Sequence, residues 1–183
     1  MRLFLGLSIP SPIVAQLYRR LEEVKKVLSA RTWVRPENVH ITLVFLGEVQ
    51  PETAEAIHSR LLEVALQTSS FSLHLKGWGA FPDMNKPNLL WAGVDGDRDT
   101  LAQLVHTLHE HIHPVYPLRR DKRYLPHVTL TRRLQTGWPL PHLNEAYPLQ
   151  TGKWTVDRMH LYLSHLSPQG ARYEIWKTYP FHS

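Results

Sequence analysis

The chain has no cysteine among its 183 residues. That excludes disulfides, thiolate zinc sites and cysteine nucleophiles, and it leaves the redox compartment open. No apolar run is long enough to span a bilayer, so no membrane partner is expected. The opening Leu3-Phe4-Leu5-Gly6-Leu7 is too short for a secretory core and is cut by Pro10 and Pro12, which leaves the cytoplasm as the expected compartment. With 43% hydrophobic and 20% charged residues the chain has the balance of an ordinary folded domain, and disorder is excluded. The net charge of +5 and the 12 histidines favour a phosphate-bearing partner only slightly, because many basic proteins bind no nucleic acid.

What the sequence does have is a repeated segment. His40-Ile41-Thr42-Leu43 and His127-Val128-Thr129-Leu130 are His-x-Thr-x runs in apolar, β-branched surroundings, the pattern of a strand. Side chains alternate faces along a strand, so His and Thr share one face while Ile or Val and Leu take the other. The histidines lie 87 positions apart (127 − 40), and the same offset holds well beyond them. Leu3/Leu90, Gly6/Gly93, Ala15/Ala102, Gln16/Gln103, Leu17/Leu104, Leu21/Leu108, Glu23/Glu110, His40/His127, Thr42/Thr129 and Leu43/Leu130 are identical without gaps. Phe4 opposite Trp91 keeps its aromatic character. Chance gives roughly one identity in seventeen at ordinary composition. Ten within residues 3–45 therefore indicate an internal duplication of approximately 2–82 and 88–181.

Taken in order, residues 2–9 are expected to form a buried strand. Ser11 would cap a helix with Pro12 at its first position and Ile13, Val14, Leu17, Leu21, Val24 and Leu28 on its apolar face. Residues 29–39 turn towards the first His-x-Thr strand, which Gly47 ends, and Pro51 opens a second helix. Residues 71–80 alternate as a half-exposed strand. In the second unit Leu89 to Val94 is a strand, and Asp97 or Asp99 caps a helix that Pro114 and Pro117 stop. Residues 133–153 show no period, as expected of a functional or mobile loop, and stand where the first unit has its second helix. Residues 155–164 and 171–180 alternate as two closing strands joined by a Ser167-Pro168-Gln169-Gly170 turn. The expected fold class is α+β, a single bilobal domain. Its two pseudo-symmetric sheet-plus-helix lobes would face their His-x-Thr strands across a central cleft.

Two imidazoles facing one point suit a reaction that takes a proton from a nucleophile and gives one to a leaving group. Histidine's ordinary pKa, about 6.5, lets one ring act as base and the other as acid near neutral pH. The two threonine hydroxyls can donate to phosphate oxygens, and an arginine adds a charge-assisted contact. Arg132, two residues beyond Leu130, is expected on the Thr129 face if the strand continues. No carboxylate cluster accompanies the pair, so metal-dependent phosphoryl transfer is not indicated. Either segment alone is most simply a core histidine beside a strand threonine. Duplication preserves apolar positions easily, but it gives no packing reason to keep a His and a Thr on one face twice.

With their flanks, Asn38-Val39-His40-Ile41-Thr42-Leu43-Val44-Phe45-Leu46-Gly47-Glu48 and Pro126-His127-Val128-Thr129-Leu130-Thr131-Arg132 resemble the two signature motifs of the two-histidine (2H) phosphoesterases. The closest resemblance is to the prokaryotic RNA 2′,3′-cyclic phosphodiesterases, the LigT/ThpR or 2′-5′ RNA ligase family. It extends to Arg2-Leu3-Phe4, Phe81-Pro82, Leu90-Trp91, Leu161-Tyr162 and Arg172-Tyr173-Glu174. The resemblance implies hydrolysis, without metal or cofactor, of an RNA 2′,3′-cyclic phosphate end, such as that of a tRNA fragment, or of a cyclic nucleotide. The product is a 2′-phosphate, with a weak reverse joining through a 2′-5′ linkage, and the protein is expected to be a monomer. His40 and His127 then match the acid/base pair, His40 as acid to the departing 3′ oxygen and His127 as base for water. Thr42, Thr129 and Arg132 match the phosphate contacts, and Phe45, the offset counterpart of Arg132, matches the aromatic that packs on the nucleobase.

Other features compete. His109-Glu110-His111-Ile112-His113 satisfies the His-Glu-x-x-His zinc pattern on a helix, but Pro114 follows at once and a solvated helix end is the simpler explanation. Trp33 and Arg35 before one motif, and Lys122, Arg123 and Tyr124 before the other, could form a basic aromatic rim for RNA or be ordinary loop residues. The run Arg119 to Arg123 is expected to be solvated, and the remaining histidines to be surface or packing residues. Two other functions stay open: a non-catalytic binder of RNA ends or nucleotides on the same fold, and a hydrolase of another cyclic phosphate.

Overall fold

An antiparallel strand pair with a His-x-Thr segment at its edge is the unit from which the fold is built, and it occurs twice. The computed structural model describes residues 1–119, 123–135 and 139–182. The chain runs β1 (Arg2–Ser8), α1 (Ser11–Val24), β2 (Ser29–Ala30), β3 (His40–Glu48), α2 (Pro51–Gln67) and β4 (Phe71–Pro82). It continues with β5 (Pro87–Gly96), α3 (Arg98–Ile112), β6 (His127–Thr131), β7 (Leu134–Gln135), α4 (Leu143–Ala146), β8 (Trp154–Val156), β9 (Arg158–Ser167) and β10 (Gly170–Pro180). The chain is mixed α+β, as its pattern indicates.

β1 pairs with β3, and β5 with β6, so each helix α1 and α3 lies between the members of an antiparallel pair in sequence. Two four-stranded sheets have the orders β10-β9-β1-β3 and β6-β5-β4-β8, and β2 pairs with β7 in a separate two-stranded sheet. The His-x-Thr strands are thus the edges of their sheets, and β3 approaches β6. The sheets do not follow the repeat boundaries. β4, from the first unit, pairs with β5 of the second, while β9 and β10 return to pair beside β1. The apolar faces meet in a continuous core that includes Leu5, Leu7, Ile41, Leu75, Leu90, Val128 and Leu130.

Sheet edges leave backbone groups that need partners. Here each unit supplies them to the other. The Val34 amide donates to Leu130 O (2.8 Å) and the Arg31 amide to Arg133 O (3.0 Å). In the opposite direction the Thr131 hydroxyl donates to Thr32 O (2.6 Å), Tyr124 Oη to Thr42 O (2.9 Å) and Tyr116 Oη to Leu46 O (2.8 Å). These straps hold the two edge strands at one cleft.

Several local expectations are corrected. α1 begins at Ser11 itself, with Pro10 at the cap and no side-chain cap bond, because Ser11 is already helical. Its helix ends at Val24, and Leu28 is buried from the turn that follows. Asp97 occupies the cap of α3, but its carboxylate accepts the Ser72 amide of the neighbouring strand (2.8 Å) instead of capping the helix. The single strand expected over 155–164 is two strands in different sheets, β8 on β4 and β9 on β1. The stretch 133–153 holds β7, a 3-10 turn and the four-residue α4, packed through Asn144, whose amide bonds both the Trp78 amide and its carbonyl (2.7 and 3.0 Å). Its Gly137 lies outside the described residues.

Candidate active site

Each histidine opens its strand, and each is fixed from behind by the chain that leads into it. The Nδ1–H of His40 donates to Asn38 O (2.7 Å), and that of His127 to Leu125 O (2.9 Å). A carbonyl can only accept, so Nδ1 carries the proton and the neutral ring keeps its lone pair on Nε2. In His40 that Nε2 accepts the Thr42 hydroxyl (3.1 Å).

Aromatic rings hold both imidazoles. His40 packs on Phe4 (centroids 4.8 Å) and meets Tyr173 edge-on (5.0 Å, 85°). His127 packs against Trp91 (6.0 Å) and meets Phe81 edge-on (5.1 Å, 86°). Burial against these rings disfavours the charged form. It pushes His40 down to about 4, with the Arg132 and His127 charges adding to the effect and the bond to Asn38 opposing it. His127 is lowered by burial first and by Arg132 next, against its bond to Leu125.

His40, Thr42, Phe45, His127, Thr129 and Arg132 line one cleft of about 510 Å³, counting its open mouth. Val34, Asn38 and Tyr173 complete it. Phe45 stands 66% exposed at the rim. How Phe45 and Arg132 arrive there departs from simple alternation. Phe45 is three residues from Thr42 and Arg132 three from Thr129, so a regular strand would turn both away from the cleft, and the expectation that simple continuation puts Arg132 on the Thr129 face is corrected. Pairing of β3 with β1 skips a residue between Thr42 and Val44, and this bulge returns Phe45 to the face of Phe4 (6.2 Å). Pairing of β6 with β5 skips Leu130, and the strand ends at Thr131, so Arg132 reaches the cleft from beyond the strand and not as its continuation.

Trp33, Arg35 and Tyr124 lie outside this lining. Trp33 packs on the core under Lys25 (5.5 Å), Arg35 is exposed ahead of a 3-10 turn, and Tyr124 is tied to the Thr42 carbonyl with its phenol raised by burial. Arg123 is exposed, and Lys122 lies outside the described residues. Of the zinc-like pattern, His113 caps the end of α3 and its Nδ1 accepts the Leu118 amide (3.4 Å). Among the described residues no group of three or more His, Asp or Glu is placed to hold a metal ion. Sequence reasoning passed over Phe4, Trp91, Phe81 and Tyr173 as supports of the histidines; the aromatic pair Phe4/Trp91 at the repeat offset was the available signal.

Fold and cleft together define a two-lobed α+β protein of the paired-histidine class. The chain belongs to the 2′-5′ RNA ligase superfamily, whose family model matches residues 5–167. A relative from Archaeoglobus fulgidus, named RNA 2′,3′-cyclic phosphodiesterase, is 33% identical over 175 residues, covering 95% of this chain and 97% of that protein. One of the same name from Thermotoga maritima is 29% identical over 175 residues, 96% of this chain and 92% of that one. Among solved structures, a protein from Thermus thermophilus is 26% identical with a TM-score of 0.82, covering 99% and 98% of the two chains. E. coli LigT complexed with 3′-AMP, at 24% identity, has the same fold with a TM-score of 0.82 over 100% and 98%.

Proposed function

We propose that this chain is an RNA 2′,3′-cyclic phosphodiesterase that opens a terminal cyclic phosphate to a 2′-phosphate without metal or cofactor. The observation that carries the reading is the cleft itself: two imidazoles, each with Nδ1 tied to a carbonyl, beside two threonines and one arginine. His127 takes a proton from water as the oxygen attacks phosphorus. The P–O3′ bond breaks, and His40 gives its proton to the departing 3′ oxygen. Thr42, Thr129 and Arg132 hold the non-bridging oxygens, and Phe45 packs on the terminal base. Arg132 helps keep both rings neutral in the free protein. A bound phosphate anion offsets that charge, so that one ring can take up the proton it must donate. Reverse attack by an RNA 5′-hydroxyl in place of water gives the 2′-5′ joining.

The reading carries an internal duplication of 2–82 and 88–181 within one domain, and a cytoplasmic monomer as the working form. Among the described residues no helix is long and apolar enough to cross a membrane. The deciding experiment incubates the protein with cyclic-phosphate-ended RNA and with 2′,3′-cyclic AMP in EDTA, resolving 2′- from 3′-phosphate product. A 2′-phosphate is expected. Binding of the RNA end without turnover would select the non-catalytic alternative, and turnover only with added metal would overturn the mechanism.

A further inference from the structure

A wider groove leaves the cleft between α1 and β10. It shares Asn38, His40 and Tyr173 with the cleft, so the two adjoin at these residues, and it encloses about 1230 Å³ counting its open mouth. Among the described residues no lysine or arginine lines it, and Glu37 does. A phosphate there would meet a carboxylate and, among the described residues, no lysine or arginine, which is the wrong field for an RNA backbone. Three tyrosines line it instead, Tyr162 with only 7% of its surface exposed. Tyr18 is fixed by its hydroxyl bond to Val34 O, Tyr162 stacks on Phe4 (4.8 Å, 10°), and Tyr173 stands edge-on to Phe4 (5.1 Å, 80°). Val14 and a 49% exposed Ile175 extend the apolar surface, with Ser11 and Glu37 beside them. Flat apolar walls with polar groups at their margin suit a nucleobase, whose faces stack and whose edges hydrogen-bond.

The corresponding place in the other lobe has different chemistry. Ser8, Ser11 and Asn38 have Asp95, Arg98 and Leu125 at the repeat offset, and these line a separate groove that also holds Lys76. Cations are thus compatible with this position in the fold, and among the described residues no lysine or arginine lines the groove beside His40.

We propose that the groove between α1 and β10 is a subsite for the base of the nucleotide immediately 5′ of the cyclic end. The enzyme then acts on an RNA strand in preference to a mononucleotide. This rests on the function proposed above. With the phosphate between the histidines and the terminal base at Phe45, the groove is the recess that adjoins the cleft on the His40 side.

The test compares kcat/KM for 2′,3′-cyclic AMP, for a dinucleotide ending in the same cyclic nucleotide, and for that dinucleotide with an abasic upstream sugar. The intact dinucleotide is expected to exceed both others by at least about tenfold, within the range for one stacked base. Ile175→Glu and Val14→Glu should remove that advantage while leaving cyclic AMP turnover within about twofold. Equal rates for intact and abasic dinucleotides would overturn the subsite, and that comparison on the unmodified protein decides the matter even if the variants do not fold. An equal loss on all substrates in the variants would also overturn it. So would a change of oligomeric state in Ile175→Glu by sedimentation, since the groove would then be a self-interface. Failure to hydrolyse any of the three would overturn the proposed function itself, whereas turnover without a base effect would overturn the subsite alone.

Discussion

Trp91 lies across Gly79 of the neighbouring strand so closely that a Cβ on Gly79 would stand 2.2 Å from the indole ring. At the repeat offset Trp91 corresponds to Phe4, whose cross-strand neighbour in β9 is Tyr162, stacked at 4.8 Å. Behind His40 lie two stacked medium rings, and behind His127 one large ring laid over an absent side chain, with Phe81 edge-on to that histidine. Gly79→Ala must therefore displace Trp91 from beneath His127. A loss of stability of about 1–3 kcal/mol is expected, the usual scale for overpacking. A fall in kcat of at least about tenfold should accompany it, given the sensitivity of catalysis to small misplacements. A melt combined with steady-state kinetics checks both, and a lowered Tm with unchanged kcat would show that the indole packs without positioning.

The two histidines are expected to be separately indispensable. His40→Ala and His127→Ala should each lose at least about a hundredfold in turnover of a cyclic-phosphate RNA, the scale of an acid or base. Full activity in either variant would remove the paired mechanism.

Both rings titrate below the ordinary histidine value in the free protein, His40 at about 4. The shuttle needs one ring charged and one neutral, a form that exists only between two macroscopic pKa values, both below about 6.5. kcat/KM, which reports the free enzyme, should peak in mild acid and fall about tenfold per pH unit on the alkaline side. kcat should hold to higher pH, because the bound anion favours the charged ring. Arg132→Ala removes a cation that lowers both rings and should move the alkaline limb of kcat/KM upwards while weakening binding. A kcat/KM profile flat from about pH 5 to 8 would contradict this.

Acid should also unfold the protein through the same groups. His40, His127 and His160 are all lowered, in each case by burial first. Their neutral forms are favoured in the fold, so the unfolded chain binds more protons below about 6.5. The stability they contribute is complete above that pH and is lost as pH falls towards their folded values, about 4 for His40. His160 is held by Ser8 (3.1 Å) and Thr178 (3.0 Å) away from the cleft. In thermal melts across this window His160→Gln should show a shallower decline of Tm than the unmodified protein. An unchanged slope would remove His160 from the account.

Phe45, at 66% exposure, contributes little to the core. Phe45→Ala should raise KM for cyclic-phosphate RNA by about tenfold, the scale of one base-stacking contact, with Tm nearly unchanged. A large loss of Tm would make the ring structural.

Much of the site was legible because it is local and repeated. Alternation put His40 with Thr42 and His127 with Thr129, and the 87-residue offset joined the two pairs. The rim was harder to read. Tyr124 stood next to a motif, yet its hydroxyl reaches back across the cleft to the Thr42 carbonyl. Composition and spacing carry no trace of such a bond. Tyr173 was part of a recognisable late segment, but its place beside His40 depends on β10 returning to the first sheet through β9.

By itself the sequence determined the three long helices, most of the strands, the family and the central pair, because these follow from short-range periodicity and from identity at a fixed offset. Only the tertiary structure decided which strands complete which sheet, since the pairing of β4 with β5 and of β9 with β1 is set by long-range hydrogen bonding and burial. It also decided how Phe45 and Arg132, both expected at the site, come to enter the cleft. A residue skipped in each ladder shifts the period of two by one, and that shift is a property of two strands together.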